Sequence, residues 1–312
     1  MALPVYASPL ERLWHYAYLV ICTGIFIFLV APILVVLPLS FNVEPYFTFT
    51  EKMLALDPTG YSWRWYDSLL TDGMLAPELP REGTWWTDLW ANATWVKAAK
   101  NSIIIGFWAT ILATFLGTLA ALGLSRPEMP YRRVIMAILI SPMIVPIIII
   151  ATGLFFFYSS PCGLVGLDCG RLTATYPGII MAHATLGIPF VIITVTATLT
   201  GFDQSLIRAS ASLGANPRTT FFKVIMPLIL PGVISGALFA FVTSFDEVVA
   251  VLFIAGPEQQ TIPRQMWNGI REAISPAILA VATILVIFSI ALLATVELLR
   301  RRSERLRGVT PA

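Results

Sequence analysis

Long uncharged apolar runs set the pattern of this chain. No Asp, Glu, Lys or Arg occurs from Leu13 to Val43, from Asn101 to Ser125, from Val134 to Leu167, from Leu172 to Phe202, from Val224 to Phe245, or from Ala273 to Val296. A helix needs about 20 predominantly apolar residues to cross roughly 30 Å of hydrocarbon. Each run meets that length and predicts one spanning helix, six in all. The first run is too long for the apolar core of a signal peptide, and no small-residue cleavage signal follows it, so it reads as a retained helix. The expected class is an all-α integral membrane protein.

Composition agrees with the pattern. Hydrophobic residues make up 57% of the 312 residues and charged residues only 12%, where a soluble domain carries about 25% charge. The surrounding solvent is therefore mostly lipid. A net charge of +2 is too small a basic excess for a nucleic-acid partner.

The position of the basic residues sets the orientation. With the N-terminus in the cytoplasm, the inner loops hold twelve Lys and Arg: Arg12, Arg126, Arg132, Arg133, Arg208, Arg218, Lys223, Arg300, Arg301, Arg302, Arg305 and Arg307. The outer side holds the other eight, most of them on one long segment, where charge counts for less. Both termini are expected inside. Residues 41–97 form the long outer segment, polar and rich in Trp: Trp63, Trp65, Trp85, Trp86, Trp90 and Trp95. Indole rings favour headgroup depth, so one or two short interfacial helices are expected there. Docking of an external partner is the alternative use.

Cys162 and Cys169 fall in the short outer loop between the third and fourth runs. Two thiols in an oxidising compartment can bridge. A metal site is the rival reading, but two Cys without nearby His make a poor zinc set, and no metal is expected. Cys22 reads as a small apolar filler.

The inner loop between the fourth and fifth runs, residues 201–226, carries the most information. Asp203 can cap a first short helix. Gly214 stands where a helix ends in a left-handed residue. Asn216 then caps a second helix that begins with Pro217. Leu206, Ile207, Leu213, Phe221 and Phe222 add an apolar surface on a cytoplasmic loop. Such a patch either meets a partner or packs beneath the bundle, and composition leaves both readings open.

This stretch resembles the "EAA" loop of importer-type ATP-binding-cassette (ABC) permeases. Ala209 and Gly214 stand at the family positions, with Ala215 following, and Val224, Met226 and Pro227 stand where I, L and P are expected. The resemblance continues through Pro231-Gly232-Val233-Ile234-Ser235-Gly236, Ser244-Phe245-Asp246-Glu247-Val248-Val249, Gly256-Pro257 and Thr261-Ile262-Pro263. Arg208 replaces the family's leading Glu, and Ser210 its second Ala. The resemblance implies a single transmembrane permease domain over 1–312, whose 201–226 loop docks as a coupling helix on an ATPase subunit. It also implies a second permease subunit (a copy or a relative), two ATP-binding subunits and an extracytoplasmic substrate-binding protein. The location it implies is the bacterial inner membrane. The chain has no G-x-x-x-x-G-K-[ST] loop to cradle phosphates. ATP and Mg are therefore expected on the partner ATPase, with no cofactor in this chain.

Asp246 and Glu247 directly follow the fifth run and lie between apolar Ala237–Phe245 and Val248–Ala255. Ionisable residues there cost several kcal/mol unless they face a polar pathway or a partner. A carboxylate pair attracts cations; alternatively one carboxylate pairs with a base on a neighbouring helix, for which His183 is the candidate. Pro231, Gly232 and Gly236 would permit an irregular helix there. The acidic pair followed by Val-Val resembles the spermidine/putrescine permeases, as do His183-Ala184-Thr185-Leu186-Gly187-Ile188-Pro189-Phe190-Val191 and Trp63-Arg64-Trp65-Tyr66. That resemblance implies uptake of a polycation along a pathway including His183, Ser244, Phe245, Asp246 and Glu247, where carboxylates and aromatic faces suit ammonium groups. Ferric iron, thiamine and opines are the alternative substrates on the same scaffold. From other classes, an ion channel would need no ATPase-docking loop. A membrane enzyme would need a denser polar constellation than His15 and His183, the only histidines, supply.

Overall fold

A computed structural model describes residues 8–126, 128–161, 170–203, 205–272 and 275–306. Cys162 and Cys169 lie outside the described residues. The helices are α1 (Pro9–Leu39), α2 (Glu51–Leu54), α3 (Arg64–Thr71), α4 (Gly83–Asn92), α5 (Thr94–Leu124), α6 (Arg132–Ile144), α7 (Ile147–Ser159) and α8 (Tyr176–Thr200). They continue as α9 (Ser205–Ser212), α10 (Pro217–Thr220), α11 (Met226–Phe245), α12 (Val249–Ile254), α13 (Ile262–Glu272) and α14 (Ala277–Leu306). Among the described residues, five helical spans are long and apolar enough to cross a bilayer.

The third apolar run departs from expectation. It forms two helices, α6 and α7, bent by 103° at their junction, which make a sixth span only if counted together. The cause is local. Val145 precedes Pro146 and is extended, with φ −70° and ψ 136°. The proline ring disfavours the helical region for the residue before it, and here the helix ends at that residue.

The chain divides into two compact units, residues 1–71 with 269–312 and residues 72–268. In the first, α1 starts with a capping box: Glu11 N–H donates to Ser8 Oγ (3.3 Å) and Ser8 N–H to Glu11 Oε2 (2.7 Å). The stretch that follows α1 is organised by Asn42, which is fully buried. Its Nδ2 donates to the carbonyls of Tyr46 and Thr48, its Oδ1 accepts from Glu44 N–H, and its own carbonyl accepts from Trp65 Nε1 at 2.7 Å. Every polar group of this buried amide has a partner, as burial requires.

In the second unit, α5, α8 and α11 pack together through small residues. Val191 of α8 is wedged between Gly117 of α5 and Gly236 of α11; a Cβ on either glycine would meet Val191 at 2.7 Å (its Cβ) or 2.8 Å (its Cα), respectively. Helices in lipid gain little from the hydrophobic effect, so close backbone approach through small residues supplies the packing. Pro231, Gly232 and Gly236 therefore do not open α11. The helix is continuous across them and breaks only after Phe245.

The loop at 256–262 is tied to α5. Asn101 Nδ2 donates to the carbonyls of Glu258 (2.8 Å) and Gln260 (2.9 Å), Tyr176 Oη donates to Asn101 Oδ1 (2.7 Å), and Ile262 N–H donates to Ser102 Oγ (2.9 Å). Asn101 is only 4% exposed. Asn101→Leu strands these partners, and each buried orphan costs about 1–3 kcal/mol. A clear fall in thermal-unfolding midpoint in detergent is expected. Lys97→Ala, which removes an exposed 3.8 Å ion pair with Glu258, should shift the midpoint little, because such pairs contribute about 0–1 kcal/mol.

Candidate functional site

Two regions hold the residues singled out from the sequence: the 201–226 loop and the break at the end of α11.

In the loop, Asp203 accepts from Ser205 N–H (2.8 Å) and from its hydroxyl (2.6 Å), and these bonds, the hydroxyl's first, hold the Asp203 carboxyl below the ordinary range. Gly214 adopts φ +78° and ends the turn after α9, a conformation that favours a residue without Cβ. Asn216 Oδ1 accepts from Thr219 N–H at 2.8 Å, with Pro217 as the first residue of α10. A π-helical turn over Phe221–Ile225 then leads into α11. The bond that closes the wider turn runs from Met226 N–H to the Phe221 carbonyl.

The apolar loop residues divide into two sets. Leu213 is 88% exposed, Phe222 66% and Leu206 40%. Ile207 and Phe221 instead turn inward and line a groove of about 580 Å³ with Leu122, Leu199, Phe202 and Ile225. Packing within the chain thus accounts for Ile207 and Phe221, while Leu206, Leu213 and Phe222 remain exposed. Arg208 and Ala209 are exposed and Ala215 half-buried. Ser210 is buried; its hydroxyl donates to the Ile207 carbonyl (2.8 Å) and accepts from Thr220 Oγ1 (2.9 Å). The serine at the family's alanine position thus pins α9 to α10.

At the second region, α11 stops at Phe245 and α12 starts at Val249. Ser244 Oγ lies 2.8 Å from His183 Nδ1 in a buried contact. His183 is therefore hydrogen-bonded to the serine, and its Nε2 is buried without a partner among the described residues. The two carboxylates differ. Asp246 is exposed. Glu247 is 8% exposed, and its Oε1 accepts from Ala250 N–H at 2.9 Å. Phe241 and Phe245 stack one turn apart, with centroids 5.6 Å apart and planes 26° apart. Carboxylates and aromatic faces are both groups that attract cations.

Two side chains not singled out from the sequence belong here. Phe241 stacks on Phe245 and lies against Gly106 of α5; its spacing of four from Phe245 was the available signal. Arg264 reaches the carbonyls of Val251, Ala255 and Gly256 through Nη1, at 3.3, 3.0 and 3.4 Å. No sequence signal links it to α12. The Trp63-Arg64-Trp65-Tyr66 stretch belongs to the first unit, where the Arg64 guanidinium lies 4.3 Å from the Trp65 ring centroid.

The chain is 29% identical over 280 residues to the spermidine/putrescine transport system permease protein PotC of Haemophilus influenzae, covering 90% of this chain and 95% of that one. It is 28% identical over 315 residues to the putrescine transport system permease protein PotI of Escherichia coli, covering 99% and 98%. A crystal structure of a bacterial alginate ABC transporter, bound to its alginate-loaded periplasmic protein, contains a chain of the same fold. The TM-score is 0.66 at 16% identity, covering 96% of this chain and 98% of that one. The profile of the family described as "binding-protein-dependent transport system inner membrane component" matches residues 113–305. That interval contains the 201–226 loop, the α11 break and the whole of α8 and α11, and the chain belongs to this family of inner-membrane transport components.

Proposed function

We propose that this chain is the permease subunit of an ATP-driven ABC importer for polyamines of the spermidine and putrescine type. The observation that carries the substrate class is likeness over nearly the full length to permeases named for those two solutes. The exposed carboxylate of Asp246 beside the Phe241–Phe245 stack supports it, since a linear polycation is held by charge and by ring faces.

In this reading the chain conducts solute and leaves hydrolysis to others. Two ATP-binding subunits hold ATP and Mg, a second permease completes the pathway, and an extracytoplasmic binding protein delivers solute to the outer face. The 201–226 loop is the coupling element, with Leu213 and Phe222 exposed to meet the ATPase. Both termini are cytoplasmic, consistent with the arginine-rich C-terminal end.

The test is ATPase activity of the co-purified complex in lipid, with the binding protein loaded in turn with spermidine, putrescine and other solutes. Stimulation by either polyamine is the expected result. Stimulation only by an opine, thiamine or ferric iron would overturn the substrate assignment. Absence of any co-purifying ATPase would overturn the importer reading.

A further inference from the structure

The adjacent carboxylates at the α11 break have different surroundings, and the six-residue helix α12 that follows them explains why. A helix leaves its first N–H groups and last carbonyls without internal partners, and in a membrane these ends have little water to turn to. In α12 both ends are met by a charged side chain from outside the helix. At the start, the Glu247 carboxylate accepts from Ala250 N–H at 2.9 Å. At the end, Arg264 of α13 donates to the carbonyls of Val251, Ala255 and Gly256 at 3.0–3.4 Å. The signs match the helix dipole, with negative charge at the N-terminus and positive charge at the C-terminus. On the other side of the break, Ser244 is held by His183 of α8. The break at 246–248 thus lies between two anchored ends, and Asp246 is the carboxylate left exposed. No proline or glycine occurs from Val233 to Ala255 except Gly236, so backbone chemistry alone does not place the interruption.

We propose that Glu247 and Arg264 are positioning residues that clamp the two ends of α12 and thereby present Asp246, so that Asp246 alone of the acidic pair meets the transported cation. The role of Asp246 rests on the polyamine reading above; the clamp itself does not. The proposal predicts different behaviour from two chemically similar changes. Glu247→Gln removes the charge but keeps an oxygen that accepts from Ala250 N–H. Asp246→Asn removes a charge whose purpose is to face the solute.

The experiment uses the assembled complex in proteoliposomes for spermidine uptake, and the same complex in nanodiscs for hydrogen–deuterium exchange over residues 249–256. Asp246→Asn should cut uptake at least tenfold and leave exchange unchanged. Glu247→Gln should leave exchange in α12 within about twofold of the parent and cut uptake less than Asp246→Asn does. Glu247→Ala and Arg264→Ala should speed exchange in α12 at least tenfold and cut uptake at least fivefold, and Arg264→Lys should restore at least half of both. A Glu247→Gln loss as large as that of Asp246→Asn would overturn the division of labour. Unchanged exchange in Glu247→Ala or Arg264→Ala would overturn the clamp. If Asp246→Asn transports spermidine normally while Glu247→Ala still loosens α12, the polyamine pathway reading fails and the clamp stands.

Discussion

Gly236→Val is expected to destabilise the folded permease strongly. A Cβ at this position would lie 2.5 Å from Thr194 Oγ1 and 2.8 Å from Val191 Cα. The second of these is backbone and cannot rotate away. Relief requires α11 to move off α8, which also disturbs Ala240, whose Cβ would lie 2.9 Å from a Cβ on Gly187. Overpacking in a close-packed core costs about 1–3 kcal/mol for small insertions, and a branched side chain against backbone lies at the upper end. That is a large share of a typical total stability of about 5–15 kcal/mol. Gly236→Ala should therefore fold but melt lower. Gly153→Ala, in α7, is the control: nothing lies within 4 Å of its added Cβ, and removing a helical glycine is favourable by up to about 1 kcal/mol. Size-exclusion profiles and thermal melts of the three variants check the order. A monodisperse Gly236→Val protein with parental thermal stability would refute the close-packing account.

Leu213→Asp is expected to leave the permease folded while separating it from its ATPase. Leu213 is 88% exposed at the tip of the 201–226 loop, beside the left-handed Gly214. It contributes little to the fold of the chain by itself. If the loop docks as proposed, that side chain is buried in the complex, and burying a Leu contributes about 1.5–3 kcal/mol. Losing it weakens binding by roughly ten- to a hundredfold, since 1.4 kcal/mol is a factor of ten, and placing a carboxylate there adds a desolvation cost. Co-purified ATPase and solute-stimulated hydrolysis should both fall at least tenfold, with an unchanged melt of the isolated permease. Full retention of the ATPase by Leu213→Asp would remove the loop from the coupling interface.

Much of the loop was legible because its signals are local. Asp203, Gly214, Asn216 and Pro217 each act on backbone within a few residues, and they adopt the expected turn, cap and helix start. The Val145–Pro146 bend was equally local, but hydropathy hid it: a run judged by charge and length alone does not register a proline that redirects the helix. At the α11 break the expectation of an interrupted helix was sound in kind and misplaced in position. Pro231, Gly232 and Gly236 are helix-weakening residues, yet α11 runs through them, and the two glycines serve close packing against Thr194, Thr198 and Val191. Whether a glycine bends a helix or admits a neighbour depends on the neighbour, which is distant in sequence.

The same boundary separates what the chain alone determined from what its folding decided. Apolar runs long enough to span, the basic asymmetry, the capped 201–226 loop and the spacing that marks the family all follow from residue order, because bilayer thickness and capping chemistry act on contiguous segments. The pairing of His183 with Ser244, the capping of α12 by Glu247 and Arg264, and the unequal exposure of two adjacent carboxylates follow only from tertiary structure. Consecutive residues on a helix point about 100° apart, and a break changes that relation further. Which of the two meets a backbone amide and which remains exposed is set by where α12 and α13 pack.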